Sequence, residues 1–192
     1  MVVKKRKTNE TDVSLKLELF GSGKCAVKTG IGFFDHMIAS LAKHALIDLE
    51  LECEGDLIVD GHHTVEDVGI ALGSALNEAI FPASGIERFA DRIAILDEAA
   101  AQCAIDVSGR AFFSWEVPSL EGKIGEFDGE LAEEFFRALV ANAKISAHIS
   151  LIRGSNRHHI AEAIFKAFAL AFRSAIAPNE RVVGVPSLKG AL

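Results

Sequence analysis

Apolar and polar residues alternate from Val13 to Phe20, the period-two pattern of a strand with one buried face. Gly21-Ser22-Gly23 reads as a turn, and Cys25 to Lys28 as the returning strand of a hairpin. The period then changes. From Phe34 to Leu46 the residues Met37, Ile38, Leu41, Ala42 and Ala45 recur at helical spacing, and Leu49-Glu50-Leu51-Glu52-Cys53 alternates again as a strand that Gly55 closes. After an Asp60-Gly61 turn, Thr64 to Phe81 predicts a second helix of about 27 Å, stopped by Pro82 and Gly85.

The same order returns. Ala94 to Val107 is strand-like, Ser108-Gly109-Arg110 turns, and Ala111 to Val117 comes back as a strand. Leu131 to Lys144 is helical, Ile145 to Ile152 a strand, and His159 to Ile176 a long helix. Each half reads as hairpin, helix, strand, helix, with residues 1–86 forming the first unit and 87–192 the second. The expected fold class is α/β: an internally duplicated two-layer α/β sandwich, with two helices on one face of each sheet and the other face open or covered by another surface. Such uncovered faces make self-association an expectation.

Composition changes this picture little. At 192 residues with 49% hydrophobic content the chain can bury a substantial core, and four Pro with no low-complexity stretch leave no evident linker. The basic start Lys4-Lys5-Arg6-Lys7 leads into Thr8-Asn9-Glu10 without the apolar run of a secretory signal, and no run is long enough to cross a bilayer, so a cytoplasmic protein is expected. Cys25, Cys53 and Cys103 lie in strand-like surroundings and read as reduced core thiols. A formal charge of −7 argues against nonspecific nucleic-acid binding, while leaving room for a local basic pocket.

The candidate chemistry lies in one motif written twice, His62-His63-Thr64-Val65-Glu66 and His158-His159-Ile160-Ala161-Glu162, which takes four of the seven histidines. A single HHxxE should arise in such a chain by chance on the order of 0.02 times. On a helix His62 and Glu66 share a face, while His63 is turned away by about 100°. Adjacent histidines thus point to two different ions, and the second copy repeats the division. His36 and Glu134 stand at matching places upstream, each near the start of its half's first helix, which gives eight candidate ligands and a donor set suited to Mn, Fe, Co or Zn. His44 follows His36 on the same helix and borders this region. His148 reads as a hydrogen-bonded core histidine, and Asp60 and Asp67 as residues able to orient ligand imidazoles or cap the helix.

The chain resembles the imidazoleglycerol-phosphate dehydratase family along nearly its whole length. The resemblance rests on Arg6-Lys7-Thr8-Asn9-Glu10-Thr11, Thr29-Gly30-Ile31-Gly32-Phe33-Phe34-Asp35-His36-Met37, Asp60 to Asp67 around the first HHxxE, Asp106-Val107-Ser108-Gly109-Arg110, Gly154 to Ala167 around the second, and Pro186-Ser187-Leu188-Lys189-Gly190. It implies a duplicated fold of the ribosomal-protein-S5 domain 2 type, assembled through trimers into a 24-subunit homo-oligomer with active sites between subunits. It also implies two manganese ions per site, held by His36, His62, His63, Glu66, His158, His159 and Glu162. Some members carry a histidine where Glu134 stands here, and most carry leucine at Ala147.

The implied reaction is the dehydration of imidazole glycerol phosphate to imidazole acetol phosphate in histidine biosynthesis, by a monofunctional enzyme of this length. The carbon that loses hydrogen has no neighbouring carbonyl, so the imidazole ring must take the electrons, as an imidazolate between two metal ions and then a diazafulvene-like intermediate. The resemblance assigns proton transfer to Glu10, and phosphate binding to Arg88, Arg110, Lys166, Ser187 and Lys189. Two other readings of the residues are a dinuclear metallohydrolase and a noncatalytic metal-storage shell. Product analysis separates the first, and the effect of removing the Glu10 carboxylate the second.

Overall fold

The computed structural model describes residues 1–118 and 120–190. Its first sheet is built from β1 (Val2–Lys7), β2 (Thr11–Glu18), β3 (Cys25–Lys28) and β4 (Asp48–Gly55), in the order β1-β2-β4-β3. Helix α1 (Gly32–Ala45) joins β3 to β4, and α2 (His62–Ile80) follows β4. The second sheet repeats the plan with β5 (Phe89–Leu96), β6 (Ala99–Asp106), β7 (Phe112–Glu116) and β10 (Ser146–Arg153), in the order β5-β6-β10-β7. A two-stranded insertion, β8 (Lys123–Ile124) with β9 (Phe127–Asp128), precedes α3 (Leu131–Ala143), and α4 (Arg157–Ala175) comes last.

The duplication extends to lengths and turns. Helices α2 and α4 both have 19 residues, and β2, β4, β6 and β10 each have 8. Helices α1 and α3 both end on a left-handed residue that is not glycine, Leu46 at φ 57° and Lys144 at φ 54°, two residues before the next strand.

Two predicted pairings are corrected. Cys25–Lys28 is not the hairpin partner of the preceding strand: β3 lies parallel to β4, and β7 likewise lies parallel to β10. In both cases a helix makes the crossover that parallel neighbours require. The true hairpins lie earlier. In the first half β1 fills the place, a strand absent from the sequence reading because its Lys and Arg residues obscure the alternation of half-buried Val2, Lys4 and Arg6 with exposed Val3, Lys5 and Lys7. In the second half the single strand read over Ala94 to Val107 is two strands, turned at Asp97-Glu98, with Asp97 left-handed at φ 48°.

Val13, Leu15 and Leu17 of β2 and Ala101, Cys103 and Ile105 of β6 face inward onto the helices. The two helix layers then pack on each other, α1 against α4 and α2 against α3, so the halves share one core. Phenylalanines fill the seam. Phe135 lies 5.4 Å from both Phe34 and Phe165, and Phe136 lies 4.7 Å from Phe165, centroid to centroid. Burying such side chains contributes about 1.5–3 kcal/mol each, and here it also fixes how the helix starts meet.

The outer faces differ. On the first sheet Lys5, Lys16, Glu50 and Glu52 are exposed, with Lys16 Nζ donating to Glu50 at 2.8 Å. On the second, Phe89, Ile93, Ile95, Phe112 and Ile152 are exposed. The three cysteines are free, Cys53 and Cys103 buried and Cys25 half-buried. Among the described residues no helix is long and apolar enough to cross a membrane.

Candidate metal centre and active site

Both HHxxE motifs occupy the first turn of a helix, two residues earlier than the apolar periodicity predicts. Local capping explains the extension. Asp60 Oδ1 accepts from the backbone N–H of His62 at 2.7 Å, and the Asn156 side chain accepts from those of His158 (2.9 Å) and His159 (3.4 Å). One free N–H at the start of α2 and two at the start of α4 are thereby satisfied beside the paired imidazoles.

Helix packing then combines residues across the halves. His36 of α1 reaches the second motif and not its own: His36 Nε2 is 3.4 Å and His158 Nε2 3.2 Å from Glu162 Oε2, and candidate ligand atoms of all three lie within 4.8 Å of one another. This is the one such group of three among the described residues. Phe33 supports it, its ring edge-on to His158 at 5.1 Å. Lys166, one turn along α4, bonds Glu162 Oε1 at 2.7 Å. Burial pushes the Glu162 carboxyl up, but the Lys166 hydrogen bond and charge, with His36 and His158, outweigh it and hold the group below its usual range. His44 lies further down α1; burial first, then the Lys166 and Arg173 charges, lower its imidazole.

The α2–α3 pair has the same form. These helices run in the same direction: the space beside Gly61 is taken by Leu131, beside Gly69 by Phe135 and Ala138, and Asn77 Nδ2 donates to the Ala143 carbonyl at 3.2 Å. Glu134 lies near the start of α3, the helix that runs beside α2, as His36 lies near the start of the helix that packs on α4. His62, Glu66 and Glu134 do not close into a group as tight as the His36 triad, and Glu134 Oε2 is turned to Arg137 Nε at 3.8 Å.

The second histidine of each pair has different partners from the first, and its ring plane stands nearly perpendicular to its neighbour's. Ring planes differ by 89° for His62 and His63 and by 85° for His158 and His159. Each is held by carboxylates that sequence reasoning did not single out. His63 Nδ1 bonds both Asp56 oxygens at 3.0 and 3.1 Å, and His159 Nδ1 bonds Glu98 Oε2 at 2.7 Å. Both imidazoles are raised, first by those hydrogen bonds, and Glu98 is drawn down to about 2 by His159 and then by the Asn156 N–H. Asp56 sits in the loop after β4 and Glu98 in the β5–β6 turn. Their only signal in the sequence is acidity in a turn, which is common.

Glu10 Oε1 lies 3.7 Å from His63 Nε2. Its turn is clamped from below by Asp67, which is 4% exposed. Arg6 Nε reaches Asp67 Oδ1 at 2.8 Å, and Thr8 and Thr11 hydroxyls donate to Oδ2. Asp67 therefore holds the Glu10 segment and no imidazole, while Asp60 caps α2. Three of the residues expected around phosphate are engaged with partners inside the chain. Arg88 gives Nε and Nη2 to Asp106 (2.8 and 3.3 Å) and Nη1 to the Pro186 carbonyl (2.7 Å), tying down the tail that carries Ser187 and Lys189. Arg110 Nη1 contacts the Ser108 carbonyl at 3.2 Å, and Lys166 is engaged with Glu162. His148 lies against Phe112 with ring centroids 5.3 Å apart and planes tilted by 32°, on the outer face of the second sheet, and is exposed, not a core residue.

Fold and site together define a duplicated α/β protein whose helix starts present clustered imidazoles and carboxylates, side chains of the type that transition-metal ions favour. Residues 29–172 match the family model described as imidazoleglycerol-phosphate dehydratase. Relatives named imidazoleglycerol-phosphate dehydratase include one from Campylobacter fetus, 57% identical over 192 residues and covering 100% of both chains, and one from Wolinella succinogenes, 57% identical over 187 residues and covering 97% of each. Among solved structures, the Staphylococcus aureus imidazoleglycerol-phosphate dehydratase is 37% identical with a TM-score of 0.81, covering 93% of this chain and 100% of its own. The Pyrococcus furiosus structure, determined in complex with (S)-C348, is 32% identical with a TM-score of 0.84, covering 98% of this chain and 100% of its own. The chain belongs to the imidazoleglycerol-phosphate dehydratase family, and it is an enzyme of the hydro-lyase class.

Proposed function

We propose that this enzyme dehydrates imidazole glycerol phosphate to imidazole acetol phosphate in histidine biosynthesis, with two divalent ions, manganese by preference, at each site. The observation that carries the metal reading is the triad of His36, His158 and Glu162, assembled from both halves with donor atoms 3.2 and 3.4 Å from one carboxylate oxygen. Two imidazoles and a carboxylate suit Mn(II), and Lys166 on the second oxygen holds the carboxylate ionised. His62, His63, Glu66, Glu134 and His159 complete the proposed ligand set.

Bound ions would act as Lewis acids that favour the imidazolate form of the substrate ring. The ring's electron pair then expels the side-chain hydroxyl through a diazafulvene-like intermediate, and loss of the carbon-bound proton gives an enol that tautomerises to the ketone. Glu10 protonates the departing hydroxyl and takes the carbon proton, and its place beside His63, on a turn fixed by buried Asp67, supports that role. Arg110, Lys166, Ser187 and Lys189 receive the phosphate, Arg88 acts by anchoring the tail that carries Ser187 and Lys189, and His44 borders the substrate. The apolar outer face around Phe89, Ile93, Ile95 and Phe112 supports assembly through trimers into a 24-subunit shell. The workplace of such a biosynthetic enzyme is the cytoplasm.

The test is Glu10→Gln in the Mn-loaded protein, with ketone and free phosphate both measured. Turnover should fall at least about 100-fold, the scale of general acid–base catalysis, with bound Mn unchanged. Phosphate release without ketone from the parent protein would overturn the reading.

A further inference from the structure

The two hairpins β1–β2 and β5–β6 hold the same place in their sheets, each at the edge next to the strand that precedes an HHxxE helix. Their turns, at residues 8–10 and 97–98, each bring one glutamate to the second histidine of the motif in the same half. Glu98 is thus the structural counterpart of Glu10. The two are used differently.

Glu10 approaches His63 from the Nε2 side at 3.7 Å, and the Nδ1 side is already taken by Asp56. Glu98 is at Nδ1 of His159, at 2.7 Å, where Asp56 stands in the first half. Its other oxygen, Oε1, accepts from the Asn156 N–H at 2.8 Å, the Ser155 N–H at 3.2 Å and the Ser155 hydroxyl at 3.3 Å. Both carboxylate oxygens are therefore engaged, one with the imidazole and one with the loop whose Asn156 caps α4. A carboxylate at Nδ1 takes the N–H there, so the lone pair is left on Nε2, facing away. Asp56 gives His63 the same tautomer from a different loop.

We infer that Glu98 is a positioning residue: it sets the tautomer and ring angle of His159 for a metal ion, and so the duplicated site keeps a free proton-carrying glutamate only in its first half, where Asp56 has relieved Glu10 of that task. This rests on the reading of His159 as a metal ligand, and the experiment separates the two. Mn binding to the intact metal-free protein is measured by chelator competition for the parent, Glu98→Gln, Glu98→Ala, His159→Ala and Glu10→Gln, with kcat and KM at low and saturating Mn. Glu98→Gln keeps an acceptor for the loop N–H groups, so it tests the imidazole contact with the helix cap intact. Both Glu98 variants should bind Mn about 10- to 100-fold more weakly at one class of site, and excess Mn should restore most of their turnover with the pH profile of kcat unchanged. Glu10→Gln should show the reverse, full affinity with turnover lost at every Mn concentration. If His159→Ala weakens Mn binding and neither Glu98 variant does, the positioning role is overturned while the ligand reading stands. Loss of turnover in Glu98→Gln that excess Mn does not restore would overturn it too. If His159→Ala binds Mn as the parent does, the ligand reading and this inference fall together.

Discussion

Gly69 sits in α2 directly against α3, and replacing it with alanine tests the packing that joins the halves. A Cβ there would lie 2.8 Å from the Phe135 carbonyl oxygen and 2.9 Å from the Ala138 Cβ, against the roughly 3.5–4.0 Å of an optimal carbon contact. One of the two blocking atoms is α3 backbone, which no rotamer change can move. The helices must therefore separate by roughly 0.5–1 Å, forfeiting about a quarter to a half of the dispersion energy of the atoms along the seam. Overpacking of this kind costs about 1–3 kcal/mol, while alanine in a helix interior returns about 0.8–1.0 kcal/mol relative to glycine. The expected net loss is up to about 2 kcal/mol, and at roughly 2–4 °C per kcal/mol for a chain of this size the melting temperature should drop by up to about 8 °C. Gly32→Ala is the internal control. It stands at the start of α1 with no atom within 4 Å of the added Cβ and no left-handed φ, so it should gain about 0.4–1 kcal/mol through the unfolded chain. Both are read by thermal and guanidinium unfolding of the metal-free protein. A Gly69→Ala protein stabilised as much as Gly32→Ala would refute the close helix approach.

Arg88→Ala should release the C-terminal tail, since it removes the donor to the Pro186 carbonyl and leaves half-buried Asp106 without its partner; charge-assisted bonds of this kind are worth about 1.5–3 kcal/mol each. Cleavage by trypsin after Arg181 should become faster than in the parent, and an unchanged rate would show that the tail is held by other contacts. Metal affinity should depend on pH with a definite sign. His63 and His159 are raised above the ordinary 6.5, so protons compete for their nitrogens from above that value, and apparent Mn affinity should begin to fall before pH 6.5 is reached from the alkaline side. Calorimetry in buffers of different ionisation enthalpy should show proton release near neutral pH, and isotherms independent of buffer would contradict the assignment.

Much of the site is local chemistry and so was readable along the chain. The i, i+4 face shared by His158 and Glu162, and the divergence of His159, follow from helix geometry once the helix is recognised. The helical pattern is legible only from Thr64 and His159, two residues after the helices start, because bonds from Asp60 and Asn156 to the first-turn N–H groups extend each helix through its paired histidines. The parallel pairing of β3 with β4 and of β7 with β10 was not legible, since a four- or five-residue alternating strand carries no record of its neighbour. Asp56 and Glu98 were missed for a related reason: a carboxylate in a turn acquires meaning only from the imidazole brought against it.

By itself the sequence determined the α/β class and the internal duplication, because each depends on periodicity within one element or on a motif repeated whole, and it offered the histidines and glutamates of that motif as candidate ligands. Tertiary structure decided which residues meet. His36 closes on Glu162 from the other half, Asp67 serves the Glu10 turn, and Arg88 is spent on the tail. These contacts are set by the packing of α1 on α4, of α2 on α3, and of loops on both, interactions between segments far apart in the chain whose energy belongs to the pair and is written in neither segment alone.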